Sequence, residues 1–207
     1  MQSEKLENQS RINKAIVYEG YGAKPNETKF VRDSESGRLT IVAIGGLPEI
    51  ISTAIALADE GAELIELCGY ISPVWRAKVQ EAVGHRTKVS SVTFGYESLV
   101  LAAAYSQSFQ EGNPLPEAFI ILERGSNPVQ DRFEKSYHPQ HTTFIPVPDE
   151  ATAASIAVEL VNEGFGLIEL YGGFTTAGAA KVIEAVDGRV PVGVGSFTLE
   201  DTNLYNS

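Results

Sequence analysis

The run Glu60-Gly61-Ala62-Glu63-Leu64-Ile65-Glu66-Leu67-Cys68-Gly69 returns 103 positions later as Glu163-Gly164-Phe165-Gly166-Leu167-Ile168-Glu169-Leu170-Tyr171-Gly172. The same offset, without a gap, lays Ala77-Lys78-Val79 on Ala180-Lys181-Val182, Glu81-Ala82-Val83 on Glu184-Ala185-Val186, Arg86 on Arg189 and Phe94 on Phe197. Fainter matches reach back to Ala15 and Ala118, Pro25 and Pro128, and Phe30 and Phe133. A period this long exceeds a solenoid unit and suits a whole small domain, so one ancestral domain has become two.

Working outward from the repeated run, residues 64–68 read as a strand, with residues 15–18 and 40–44 as two strands before it. Pro48 opens an apolar helical pattern at Ile50, Ile51, Ala54, Ile55, Leu57 and Ala58 that stops at Gly61. Ser72-Pro73 is an N-cap and first-turn pair for a helix reaching Val83, and residues 89–94 make a further strand. The second half copies this pattern with strands at 118–122, 143–147, 167–171 and 190–194 and helices at 149–162 and 176–186. Between the halves, residues 96–111 read as a linking helix ended by Gly112-Asn113-Pro114.

The expected fold is therefore α/β: two similar β-β-α-β-α-β domains related by internal duplication and packed as a pseudo-dimer. The expected boundaries are a disordered tail at 1–14, repeats at 15–95 and 117–207, and a linker at 96–116. Consecutive βαβ units call for parallel neighbours, with ligands at the carboxyl ends of the strands. Eight strands invite a (β/α)8 barrel, but residues 19–38 and 123–141 show no helical period.

A formal net charge of -11 disfavours a nucleic-acid partner, whose phosphates demand clustered Lys and Arg. With one cysteine, Cys68, no intrachain disulfide can form, which fits a reducing compartment. The first fourteen residues lack the apolar core of a signal peptide, and no apolar run spans a bilayer. The expectation is a soluble cytoplasmic protein without a membrane partner, with a homo-oligomer left open.

On strands that alternate faces, Glu66 shares a side with Leu64 and Cys68, and Glu169 with Leu167 and Tyr171. A carboxylate among apolar neighbours has its pKa raised, as a general base requires; the competing reading is a structural Glu bonded to an arginine or a loop amide. Cys68, before Gly69 and a helix start, is a candidate nucleophile with a lowered pKa, or else a small buried hydrophobe. Glycine-bearing loops at Gly45-Gly46, Gly69, Tyr171-Gly172-Gly173 with Thr175, and Gly195-Ser196 could aim N–H groups at an anionic small molecule; tight turns explain the same glycines. His138-Pro139-Gln140-His141 lacks a metal-binding register and reads as solvated loop, and His85 as a helix-end cap. No metal is expected, and no cofactor is specified.

The run Ile65-Glu66-Leu67-Cys68-Gly69, the Ser72-Pro73 helix and Phe94-Gly95-Tyr96-Glu97-Ser98 resemble an uncharacterised bacterial family of about 100-residue α/β domains, here in tandem. The second copy departs from it with Tyr171 in place of the cysteine and Phe197-Thr198-Leu199-Glu200-Asp201 in the later motif. A shorter likeness links Gly61-Ala62-Glu63-Leu64-Ile65-Glu66-Leu67 to the glutamate-bearing strand of tryptophan synthase alpha-type barrels, and implies a catalytic role for Glu66. Two functional readings follow. One is a lyase- or isomerase-type enzyme using Glu66 or Glu169 with Cys68; the other is a non-catalytic small-ligand-binding or assembly protein.

Overall fold

The computed structural model describes residues 11–195. The first copy runs β1 (Lys14–Glu19), α1 (Pro25–Thr28), β2 (Phe30–Ser34), β3 (Gly37–Ile44), α2 (Ile50–Asp59), β4 (Leu64–Leu67), α3 (Pro73–Val83) and β5 (Lys88–Phe94). After α4 (Leu99–Gln110) the second runs β6 (Glu117–Leu122), β7 (Phe133–Tyr137), β8 (Gln140–Val147), α5 (Glu150–Glu163), β9 (Leu167–Tyr171), α6 (Thr176–Val186) and β10 (Val192–Gly195). Local chemistry sets these limits. Ser72 accepts from the Val74 N–H with Pro73 in the first turn of α3, Asp149 accepts from Thr152 N–H at α5, and Gly164 ends α5 in the left-handed region at φ 91°.

The ten strands of the described residues join in one sheet, ordered β2-β3-β1-β4-β5-β10-β9-β6-β8-β7. Read from either end, the order passes through equivalent strands of the two copies. Within each copy the core strands are parallel, as the βαβ pattern requires. Three pairings are antiparallel: the hairpins β2–β3 and β7–β8, and the join between copies, where β5 meets β10 with Val92 opposite Gly195. Val92 and Gly195 are the same position at the 103-residue offset. The strands β2 and β7 and the short α1 occupy stretches expected to be loops, because β2 alternates partly exposed with exposed residues, β7 exposes its three middle residues, and neither carries an apolar run.

One face of the sheet is covered by helices. Ala118, Ile120, Ile145, Val147, Ile168 and Leu170 of the second copy pack beneath α5 and α6. The other face curls inward on itself. The Tyr18 ring meets Phe119 and Phe144 edge-on at 5.8 and 5.3 Å, and Phe119 meets Tyr171 at 4.9 Å. The curl brings the two edge strands near each other: Phe30 of β2 and Phe133 of β7, again equivalent positions, lie 4.3 Å apart between ring centroids. Each fully buried aromatic in this interior contributes on the order of 1.5–3 kcal/mol over exposure. Among the described residues, no helix is long and apolar enough to cross a membrane.

Candidate functional site

Strand alternation turns Glu66 of β4 and Glu169 of β9 into this curled interior, where each is 1 % exposed. Each then reaches across to the other copy. Glu66 Oε2 accepts the Gly172 N–H at 2.9 Å, and Glu169 Oε1 accepts the Gly69 N–H at 3.0 Å. Gly69 and Gly172 are equivalent positions, as are the two glutamates, so the pair of bonds is reciprocal. Both glycines are required by space: a Cβ on Gly69 would sit 2.5 Å from Glu169 Oε1, and Gly172 adopts φ 93° with Leu122 O at 2.7 Å from where a Cβ would be.

The surroundings of the two acids differ. Tyr171 donates its hydroxyl to Glu169 Oε2 through a short hydrogen bond. Cys68, the residue in Tyr171's place, gives Glu66 no counterpart, and Glu66 Oε1 has no hydrogen-bond partner among the described residues. Glu66 instead feels the positive charge of buried Lys14, whose Nζ donates to Leu122 O at 3.1 Å. The equivalent of Lys14 is Glu117, held by Gln140 Nε2 at 2.6 Å, Thr142 Oγ1 at 2.7 Å and the Tyr105 hydroxyl at 3.2 Å.

Burial is the largest influence on both acids and raises both. Lys14 and the Gly172 N–H pull back on Glu66, which is pushed up to about 7. Glu169 is pushed up to about 8, because the like charge of Glu117 adds to burial while Tyr171 and the Gly69 N–H oppose it. The Lys14 ammonium is lowered by burial, with Glu66 and Glu123 opposing.

Cys68 does not present the lowered pKa expected of a nucleophile. Burial pushes its thiol well up, and the charge of Glu169 adds to the effect. The glycine-loop donors at Gly45, Gly69, Gly172 and Thr175 are already taken. Gly45 N–H donates to Glu49 Oε2 at 2.8 Å, Thr175 N–H to Glu150 Oε1 at 2.6 Å, and the Thr175 hydroxyl to Glu150 Oε2 at 3.0 Å. With Gly69 and Gly172 taken by the glutamates, this chain's own carboxylates occupy the cradle. Gly46 keeps an extended backbone, Gly173 has φ 87°, and Tyr171 is fully buried. Gly195 lies in β10 rather than a loop, and Ser196 falls outside the described residues. His141 Nδ1 lies 2.9 Å from Ser136 Oγ in the β7–β8 hairpin, and no cluster of three metal-ligating side chains occurs among the described residues.

Charged residues that the sequence reading left out complete the interior. Besides Lys14 and Glu117, Glu123 is 1 % exposed, with Arg32 Nε 3.6 Å from its Oε1 and no hydrogen bond to either oxygen among the described residues. Arg32 continues to Asp131 at 2.8 Å, so this ion-paired chain also crosses between copies. The offset that aligns the copies sets Lys14 against Glu117, and that opposition of charge before an apolar run was the signal available.

A family model, that of a family of unknown function (DUF6506), matches residues 12–107 and again residues 115–207. No curated protein matches the chain. Among solved structures, a carbohydrate transporter from Acidothermus cellulolyticus 11B in complex with myo-inositol aligns at TM-score 0.31 and 11 % identity, over 88 % of this chain and 73 % of that one. A solute-binding protein of an ABC transporter system from Aeropyrum pernix K1 aligns at 0.28 and 12 %, over 86 % of this chain and 60 % of that one. Likeness this loose carries neither neighbour's ligand over to the present chain.

Proposed function

We propose, on the premise that this chain belongs to DUF6506 and carries its domain twice, that it is a fused pseudo-dimer acting as a non-catalytic binding or assembly protein. The observation that carries this reading is the reciprocal pair, Glu66 to Gly172 and Glu169 to Gly69. A general base needs a carboxylate within reach of a substrate proton. These two are buried and spent on backbone donors of the opposite copy, which is the work of a clasp. Replacing each with alanine and following amide exchange tests it. Glu66→Ala should deprotect Gly172 and Glu169→Ala should deprotect Gly69, with lower melting temperatures; unchanged protection at both glycines overturns the reading.

One atom favours a second reading, acid/base chemistry of the lyase or isomerase type. Glu66 Oε1 has no hydrogen-bond partner among the described residues, and the group's pKa of about 7 suits proton transfer near neutrality. That chemistry needs a path from solvent. Nuclear relaxation by a dissolved neutral paramagnetic probe should then reach the Glu66 side chain; shielding equal to that of neighbouring Ile16 sinks the idea.

A further inference from the structure

Away from the interior, on the helix-covered face, a groove of about 310 Å³ lies between α1, β3 and α2. Its floor is apolar, made by the buried Val42 and Leu57, with exposed Ala56 beside them. Its walls carry the Asn26 amide and the Ser52 and Thr53 hydroxyls, and the Lys29–Glu60 ion pair stands at one side. Thr53 lines the groove at 8 % exposure, and its hydroxyl is not among the buried polar atoms that lack a partner, so it stays within reach of solvent.

The second copy provides an internal control. The ion pair recurs there as Arg132 with Glu163, and the floor recurs as Ile145 and Leu160. Ser52 recurs as well, as Ser155, but other lining positions change. Thr53 is replaced by Ile156, Ala56 by Glu159 and Asn26 by Val129, each bulkier or stripped of its hydrogen-bonding group. Ile156 packs against the core of its copy. The first copy also walls its groove with α1, where the second copy has a turn, so backbone and side chains together set this groove apart.

We infer that this groove binds a small, neutral, polyhydroxylated molecule. Its volume sits at the lower end of ligand pockets, about 300–1,000 Å³. Hydroxyl, amide, ammonium and carboxylate groups around an apolar floor supply donors and acceptors together, which matches the alternating OH and CH surface of a polyol. The single cation is already paired with Glu60, and Glu49 adds a second acid to the wall, so an anion is unwelcome. No aromatic side chain lines the groove, so a flat nucleobase lacks a stacking surface.

The test titrates the full chain with D-glucose, D-ribose and D-mannitol at millimolar concentration, with glucuronate and glucosamine as charged comparators, and follows amide resonances. A neutral polyol should shift resonances of Asn26, Lys29, Ser52 and Thr53. Placing the second copy's own residues in the groove, as Thr53→Ile with Ala56→Glu, should weaken that binding roughly tenfold or more without lowering the melting temperature. Asn26→Val, at an exposed position and also taken from the second copy, keeps the test open should isoleucine at 53 disturb α2. Shifts from the charged comparators alone, no shifts at these residues, or equal affinity in the variants would falsify the assignment.

Discussion

Lys14 and Glu117 stand at the same position of the two copies, each the first residue of its strand, and they carry opposite charges into one interior. Lys14 offsets part of the cost of burying Glu66, while Glu117 adds to the cost of burying Glu169. Two acids with equivalent backbone partners thus end up with different proton affinities.

A pH dependence with an unusual sign follows. Both acids start from an unfolded value of 4.5 and are raised in the folded chain, to about 7 and about 8. Raised values mean the folded state binds these protons more tightly, so the stability they contribute is complete below pH 4.5 and is lost as pH rises through 7 and then 8. Urea unfolding should show wild type losing on the order of a few kcal/mol between pH 5 and 9 from this source. Glu169→Gln, whose amide can accept from Gly69 and donate to the Tyr171 oxygen, should flatten the upper part of that fall. A wild-type profile that rises across the same interval contradicts the account.

Tyr171→Phe removes the donor to Glu169 Oε2 and leaves a buried oxygen without it. The expected loss is about 1–3 kcal/mol. NMR titration of the Glu169 carboxyl should also show its pKa moving further up, because the hydroxyl favours the charged form. A purely packing role for Tyr171 would leave that titration where it was.

Gly69→Ala should be costly although it adds a single methyl. Its Cβ would fall 2.5 Å from Glu169 Oε1 and 2.8 Å from the Phe94 ring. Both neighbours are held, so a destabilisation of about 1–3 kcal/mol is expected. Gly61→Ala serves as the contrast: nothing lies within 4 Å of a Cβ there, and only the left-handed backbone at φ 92° resists the change. Comparable crowding effects in the two variants, once that backbone term is matched with Gly84→Ala, would argue against the clasp.

Cys68 should be inert to a thiol reagent in the folded chain. It is 2 % exposed and its thiol is pushed well up. Labelling kinetics in increasing urea should therefore follow the unfolded population. Fast labelling under native conditions would mean that the interior opens far more readily than its packing implies.

The limits of sequence reading fall at particular residues. The strands with apolar runs and the helices capped by Ser72, Asp149 and Gly164 were legible because local chemistry specifies them. Glu66 and Glu169 stood out because they occur twice. Their partners did not, since Gly69 and Gly172 receive them from the opposite copy and no local pattern records a contact across 100 residues of chain. Lys14 read as the last residue of a polar tail for the same reason: a charge at a strand's start looks solvated until the other copy covers it. The hairpin strand β2 was hidden because its edge position leaves Val31 and Asp33 exposed, so composition resembles a loop.

The antiparallel join sets Val92 against Gly195, a position paired with its own replica. Such a contact is used up once two units have met, because the β5 edge of one copy is covered by the β10 edge of the other. The architecture therefore has a parity. Two copies close on each other with both glycine N–H groups taken, one alone would leave an acid and a strand edge without a mate, and a third would find that edge already covered.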